Sequence, residues 1–326
     1  MLRRQFLGFV GTVAAAAIHS RTALSQTQTY PTRLIKVVVP FPAGGPTDIM
    51  GRLAAQQLSK SLAQNVIVEN IAGAGGTIGS QTVARANPDG HTLLLGGTNS
   101  NAITAAFYKN LRYDPIRDFA PIAAVAVDSS ALVVTPEVPV KTIQDFLQYL
   151  KMNPGKLAYG APVGIAPHAL VAFFVKRSNV DMTFVPYRGG APLITDLLAN
   201  QVQMTVGAKS AYLSHIRAGK LRALAVTGEE RWSELPDVPT MHESGFADFP
   251  SYQWFQLMAP ANTPQDVIDK LNAAINDGLK SADLQASLAK LGVQTKIETP
   301  RELQRKLLAE AQQWKAIVSS TGIKID

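Results

Sequence analysis

The stretch Ile35-Lys36-Val37-Val38-Val39-Pro40-Phe41-Pro42-Ala43-Gly44-Gly45-Pro46-Thr47-Asp48 carries an apolar, β-branched run through a glycine turn straight into a helical pattern. Met50, Ala54, Leu58 and Leu62 follow at a spacing of four and form one apolar stripe. A short continuous apolar run bounded by turn residues reads as a strand buried on both faces. Where such a strand feeds a helix through glycines, backbone N–H groups are left unpaired at the helix start, above the edge of the sheet. The helix dipole adds partial positive charge there. The stretch therefore sets an α/β fold class. It also marks Phe41, Ala43, Gly44, Gly45, Pro46, Thr47 and Asp48 as a candidate anion site. The same two glycines serve an ordinary tight βα turn equally well.

The alternation continues outward from this unit. Strands are expected at Ile35–Pro40, Val66–Glu69, Thr92–Leu95, Ile122–Val127, Ala131–Thr135, Lys156–Gly160, Met182–Tyr187, Gln203–Gly207, Arg222–Thr227 and Gln253–Ala259, with helices between them. Thr142 with Asp145, Thr263-Pro264 with Asp266, and Thr299-Pro300 with Glu302 read as capped helix starts. Ten strands are many for one twisted sheet, so two five-stranded α/β lobes are expected. The last strand would return to the first sheet. Chain crossings near 125–130 and 248–252 then make a double-crossing hinge. The expected division is 1–25 as a signal peptide, 26–127 plus 252–326 as lobe 1, and 128–251 as lobe 2.

Further loops occupy the same strand-to-helix position. Gly73-Ala74-Gly75-Gly76-Thr77-Ile78-Gly79 invites a dinucleotide reading, but its spacing puts Ile78 where a glycine is required, and no P-loop lysine follows. Its glycines are better explained by close helix–sheet packing. Thr98 and Asn99 sit in a polar loop at the ligand-binding edge of the first sheet. In the second half, Ala161-Pro162-Val163-Gly164 with His168, Tyr187-Arg188-Gly189, and Lys209-Ser210 do the same. Arg188 or Lys209 can pair with a carboxylate. Five or six loops at one kind of edge in two halves describe a cleft.

Composition narrows the function. Cys is absent, which excludes disulfides, thiolate chemistry and a lipobox anchor. The five histidines are scattered, so no metal is expected, and no catalytic residues or cofactor motif can be identified. The net charge is +7, and without Arg3, Arg4 and Arg21 the remainder has 28 basic and 24 acidic residues. The basic residues are dispersed, which argues against nucleic acid as a partner. Arg3-Arg4, the apolar run Phe6 to Ile18 and the small residues of Ala23-Leu24-Ser25 form an export signal, with a twin-arginine variant open. A periplasmic monomer is expected.

Several motifs resemble those of the tripartite tricarboxylate transporter substrate-binding proteins, the Bug or TctC-like family. They include Val37-Val38-Val39-Pro40-Phe41-Pro42-Ala43-Gly44-Gly45, Pro88-Asp89-Gly90-His91-Thr92-Leu93-Leu94, Val185-Pro186-Tyr187-Arg188-Gly189, Ala218-Gly219-Lys220-Leu221-Arg222-Ala223-Leu224-Ala225-Val226-Thr227 and Leu235-Pro236-Asp237-Val238-Pro239-Thr240. The resemblance implies a type II periplasmic binding protein fold and capture of a small organic carboxylate. The complex would pass to the membrane permease subunits of such a transporter. It places the ligand on Phe41, Ala43 to Asp48, Thr98 and Asn99 in one lobe, and on Ala161 to Gly164, His168 and Tyr187 to Gly189 in the other. The chain departs from the family at Gly207-Ala208-Lys209, where an Asp-Asn pair is usual. An acid is lost and a cation gained, and the Ala161–Pro167 loop is more apolar. Both changes suit an aliphatic or aromatic dicarboxylate. A sensor that presents its closed form to a membrane kinase is the alternative, and a periplasmic hydrolase would need a nucleophile–base pair that is not legible.

Overall fold

The computed structural model describes residues 30–250, 252–323 and 325. The expected signal segment 1–25 lies outside the described residues. Two five-stranded mixed sheets form the framework, one in each α/β lobe. The first sheet runs β2-β1-β3-β10-β4, with β1 Ile35–Val39, β2 Val66–Asn70, β3 Thr92–Gly97, β4 Phe119–Asp128 and β10 Gln253–Pro260. The second runs β7-β6-β8-β5-β9, with β5 Ser130–Val134, β6 Ala158–Pro162, β7 Thr183–Tyr187, β8 Met204–Ala208 and β9 Arg222–Val226. Strands β1, β2 and β3 are parallel, as are β6 and β7. Strand β10 is antiparallel to β3 and β4, and β5 to β8 and β9. The chain passes from the first sheet to the second between β4 and β5 and returns between β9 and β10.

The continuous apolar runs are explained by burial on both faces. Val37 and Val39 face helices α1 (Pro46–Leu62) and α8 (Gln265–Leu279), in one core with Met50, Leu58, Leu271 and Ile275. Val38 and Leu94 face the other way, into a second core. That second core does not stop at the lobe boundary. Through Leu307, Trp314, Ile317 and Val318 of the C-terminal helix α10 (Pro300–Thr321) it continues to Leu132, Phe146, Phe174 and Met204. Helix α10 packs on β4 and α3 (Thr104–Phe107) of the first lobe and on α5 (Ala166–Ser178) of the second.

Two of the expected caps form complete capping boxes: Thr142 with Asp145 at the start of α4 (Ile143–Met152), and Thr299 with Glu302. The third does not. The Thr263 hydroxyl turns back to donate to the Pro260 carbonyl (2.8 Å), and Pro264 stands at the N-cap with no side chain to offer. Helix α2 (Thr77–Ala84) lies tight on the first sheet, where a Cβ on Gly79 would stand 2.9 Å from Pro40 Cα. This is the packing role expected of that glycine segment.

Candidate ligand-binding site

Helix α1 starts at Pro46 with Gly45 as an N-cap that has no side chain. Asp48, in the first turn, folds back as a brace. Its carboxylate accepts from the Gly44 amide (2.9 Å), Arg52 Nε (2.9 Å) and Asn70 Nδ2 (2.9 Å). Burial alone would raise its pKa, but these three donors outweigh it and hold the carboxyl below its ordinary value. Among the described residues the amides of Gly45, Thr47 and Asp48 and the Thr47 hydroxyl have no protein partner. Ala43 and Gly44 are exposed at the mouth of this loop, and the Phe41 ring packs beside Gly76.

In the second lobe three helices start directly after strands β6, β7 and β8, and these starts are not equivalent. At α5 Pro162 has no N–H, Val163 N donates to the Tyr187 carbonyl (3.1 Å) and Gly164 N to His168 Nδ1 (3.5 Å). Ala166 N donates across the lobes to Asn99 Oδ1 (2.9 Å). At α7 (Lys209–Arg217) Lys209 N donates to the Ser129 carbonyl (2.7 Å), and the Ser210 hydroxyl donates to Asp128 (2.6 Å). Only α6 (Gly190–Leu198), capped by Gly189, keeps its first donors. Among the described residues the amides of Gly189, Gly190 and Ala191 donate to no protein group, and exposed Arg188 makes no ion pair.

Several side chains assigned to a ligand by the sequence are committed to the protein instead. Thr98 is fully buried, and its hydroxyl accepts from Trp254 N (2.9 Å) and donates to Glu310 (3.0 Å). Asn99 spends both amide atoms, one on Ala166 and one on Gln253 Oε1 (3.1 Å). The Tyr187 hydroxyl donates to Asp196 (2.6 Å), and burial together with that bond pushes its pKa to about 12. The His168 ring is stacked between Phe107 and Phe184, with centroids at 5.7 and 4.7 Å, and burial pushes its pKa down to about 4. Ser210 holds Asp128, whose burial pushes its pKa up to about 7.

Lys209 also finds partners within the protein. It is buried, its Nζ lies 2.7 Å from Glu234 and 5.0 Å from the Trp232 ring centroid, and its stem packs on Gly292. The cation gained at this position answers an acid supplied by the same lobe. Replacing Lys209 by Met should cost about 1–3 kcal/mol of stability by leaving the partly buried Glu234 carboxylate without its donor and leave carboxylate affinity unchanged. A tenfold loss of affinity in calorimetry would return Lys209 to the site.

Sequence reading missed Glu310. Its carboxyl sits behind Thr98, and burial raises its pKa to about 8, against lowering by the Thr98 bond and Lys306. The folded protein then holds a proton that the unfolded chain releases near 4.5. The resulting stability is complete below about 4.5 and is lost as the pH rises through about 8. Glu310→Gln cannot ionise, so its advantage over the parent should grow across that window. Part of the residue touches solvent, which sets the gain at roughly 1–2 kcal/mol. Equal denaturation curves at pH 5 and pH 8.5 would contradict this.

The lobes meet at a seam formed by these loops. A Cβ on Gly75 would stand 3.0 Å from the Gly164 carbonyl, Asn99 reaches Ala166, and Phe107 stacks on His168. Strand β1 lies between β2 and β3, and β7 lies beside β6. The open starts of α1 and α6 therefore emerge beside the seam, at the C-terminal ends of parallel strands.

Residues 50–323 match the family model for the tripartite tricarboxylate transporter family receptor. The chain is 36% identical over 299 residues to Protein BugT of Bordetella pertussis, covering 91% of this chain and 92% of that one. Among solved structures it is similar to the periplasmic binding protein BugD (35% identity, 90% of this chain and 99% of that one, TM-score 0.82). It is also similar to MatC of Rhodopseudomonas palustris with bound malate (32%, 89% and 100%, TM-score 0.82). A further R. palustris protein, Rpa4515 with adipate, matches at 32% identity over 90% of this chain and 99% of that one (TM-score 0.84).

Proposed function

The chain belongs to the tripartite tricarboxylate transporter receptor family, and from that premise we propose that it captures a small organic dicarboxylate between its lobes. As a member of a family of solute-binding proteins rather than enzymes, it makes and breaks no covalent bond. In this reading residues 26–127 with 252–326 form one lobe and 128–251 the other. The ligand-bound form delivers its cargo, in the periplasm, to the membrane subunits of a transporter.

The observation that carries the reading is the pair of uncapped helix starts beside the seam. Gly45, Thr47 and Asp48 present free amides on one lobe, and Gly189, Gly190 and Ala191 do so on the other. Each cluster suits one carboxylate, because amides and a helix N-terminus stabilise negative charge without themselves needing a counter-ion. Exposed Arg188 supplies a cation on the second side. Two separate anion clusters favour two carboxylates over one, as in the malate and adipate held by the neighbouring structures. Half-exposed Val163 and the Ile165–Pro167 turn add apolar surface for the carbon chain between them. A ligand that touches both clusters stabilises the closed arrangement, because the open one offers it only half of the donors.

Titration calorimetry on residues 26–326 with mono-, di- and tricarboxylates, aromatic diacids and amino acids tests this. A dicarboxylate hit should also stabilise the fold by about 2.7 kcal/mol at one hundred times its dissociation constant. Binding restricted to zwitterionic amino acids, or no binding across the panel, would overturn the reading.

A further inference from the structure

Helix α5 cannot cap itself. Its N-cap residue is Ile165, which has no side-chain acceptor, and its first positions are Ala166, Pro167 and His168. Pro167 has no N–H, and His168 N is satisfied by the Ile165 carbonyl (3.0 Å). One donor of the first turn is left over, the Ala166 amide, and it is taken by Asn99 Oδ1 at 2.9 Å. Asn99 belongs to the other lobe, on the single π-helical turn Thr98–Ala102 that follows β3.

The other end of the Asn99 amide is tied to the hinge. Its Nδ2 donates to Gln253 Oε1 (3.1 Å), and Gln253 Nε2 donates to the Ser130 hydroxyl (2.8 Å). Gln253 opens β10 and Ser130 opens β5, the two strands that follow the two chain crossings. Both are buried. The turn that presents Asn99 is rigid. Gly97, at φ +129°, leaves no room for a Cβ against the Trp254 carbonyl, and the Asn101 carboxamide accepts from Gly97 N (3.1 Å).

We propose that Asn99 is a positioning residue that latches the two lobes together by cross-capping α5. Opening the cleft breaks this bond and leaves the Ala166 amide to water, so the latch favours the closed form before any ligand contact counts. The inference rests on the two-lobe binding reading, but it concerns the ligand-free equilibrium and does not depend on which solute binds. A side-chain cap on a helix is worth about 1 kcal/mol, which is about a fivefold change in the ratio of closed to open molecules. Apparent affinity falls in proportion to the closed fraction lost.

The chain has no cysteine, so a Lys60→Cys, Lys151→Cys pair on exposed positions of α1 and α4 can carry spin labels without ambiguity. Interlobe distances by double electron–electron resonance, in ligand-free protein, should shift toward the open form in Asn99→Ala. In Asn99→Asp, which keeps an acceptor for the Ala166 amide and is met by Gln253 with its carboxamide turned over, so that Nε2 donates to the new carboxylate and Oε1 accepts from the Ser130 hydroxyl, they should stay near the parent distribution. Circular dichroism confirms that each variant is folded. If Asn99→Ala leaves the distribution unchanged, or if Asn99→Asp opens as far as Asn99→Ala, the latch is overturned. A loss of ligand affinity without any change in the ligand-free distribution also overturns it, because Asn99 would then be a ligand contact only. Failure of the dicarboxylate reading would instead show as an unresponsive calorimetric panel with the distance shift intact.

Discussion

Trp314→Ala should lower the stability of the whole protein by about 3–5 kcal/mol and should do so in one cooperative transition. The indole is buried to 1% and stands on α10 among residues of both lobes. Truncating it opens a large void that the surrounding strands cannot close, because the neighbours on either side belong to different sheets. The cluster containing Trp314 runs unbroken from Val38 and Leu94 to Phe146 and Phe174. A core shared in this way couples the lobes energetically, so damage in one should be felt in the other. Urea denaturation followed by tryptophan fluorescence and by far-ultraviolet circular dichroism provides the check. Two separated transitions in the parent protein, or a loss below 1 kcal/mol in the variant, would mean that α10 belongs to one lobe alone.

That shared core was not legible in the sequence, although its parts were. The apolar runs at Val37–Val39 and Leu93–Leu95 gave the strands, and the Thr299–Glu302 pattern gave the start of α10, because these signals are local. Which lobe α10 serves depends on where its apolar stripe lands, and no local pattern encodes that. The same distinction governs the site. Strand-to-helix patterning located the Gly73–Gly79, Thr98–Asn99 and Ala161–Gly164 loops, but it did not flag Tyr108, which lies between Gly75 and Gly164, and it could not say which donors were already spent. Asn99 meets Ala166 sixty-seven positions away, and Lys209 meets Glu234 twenty-five positions away, in a loop without periodic signal. Thr263 failed as a cap for the complementary reason. Its local pattern was right, but the helix begins one residue later, with Pro264 at the N-cap, and the Thr263 hydroxyl is turned toward the Pro260 carbonyl.

Asp48→Ala should cost about 2–3 kcal/mol of stability and weaken dicarboxylate binding at least tenfold. Two effects oppose one another. Removing a carboxylate beside an anion site reduces repulsion and favours binding. Removing the acceptor of the Gly44, Arg52 and Asn70 donors releases the loop that carries the free amides. The repulsion is small, because Arg52 neutralises the charge at 2.9 Å and two further donors spread it. The loop effect is larger. Gly44 sits at φ +82° with nothing within 4 Å of where a Cβ would stand, so no side-chain packing replaces the lost bond. Each backbone residue that must be ordered again on binding takes about 1–2 kcal/mol from the ligand. Loss of order should therefore decide the sign. Asp48→Asn, which keeps one acceptor of the same shape, should fall between the parent and the alanine variant in both denaturation and calorimetry. Tighter binding by Asp48→Ala would reverse the assignment, because the carboxylate would then act on the ligand through its charge and not on the loop through its hydrogen bonds.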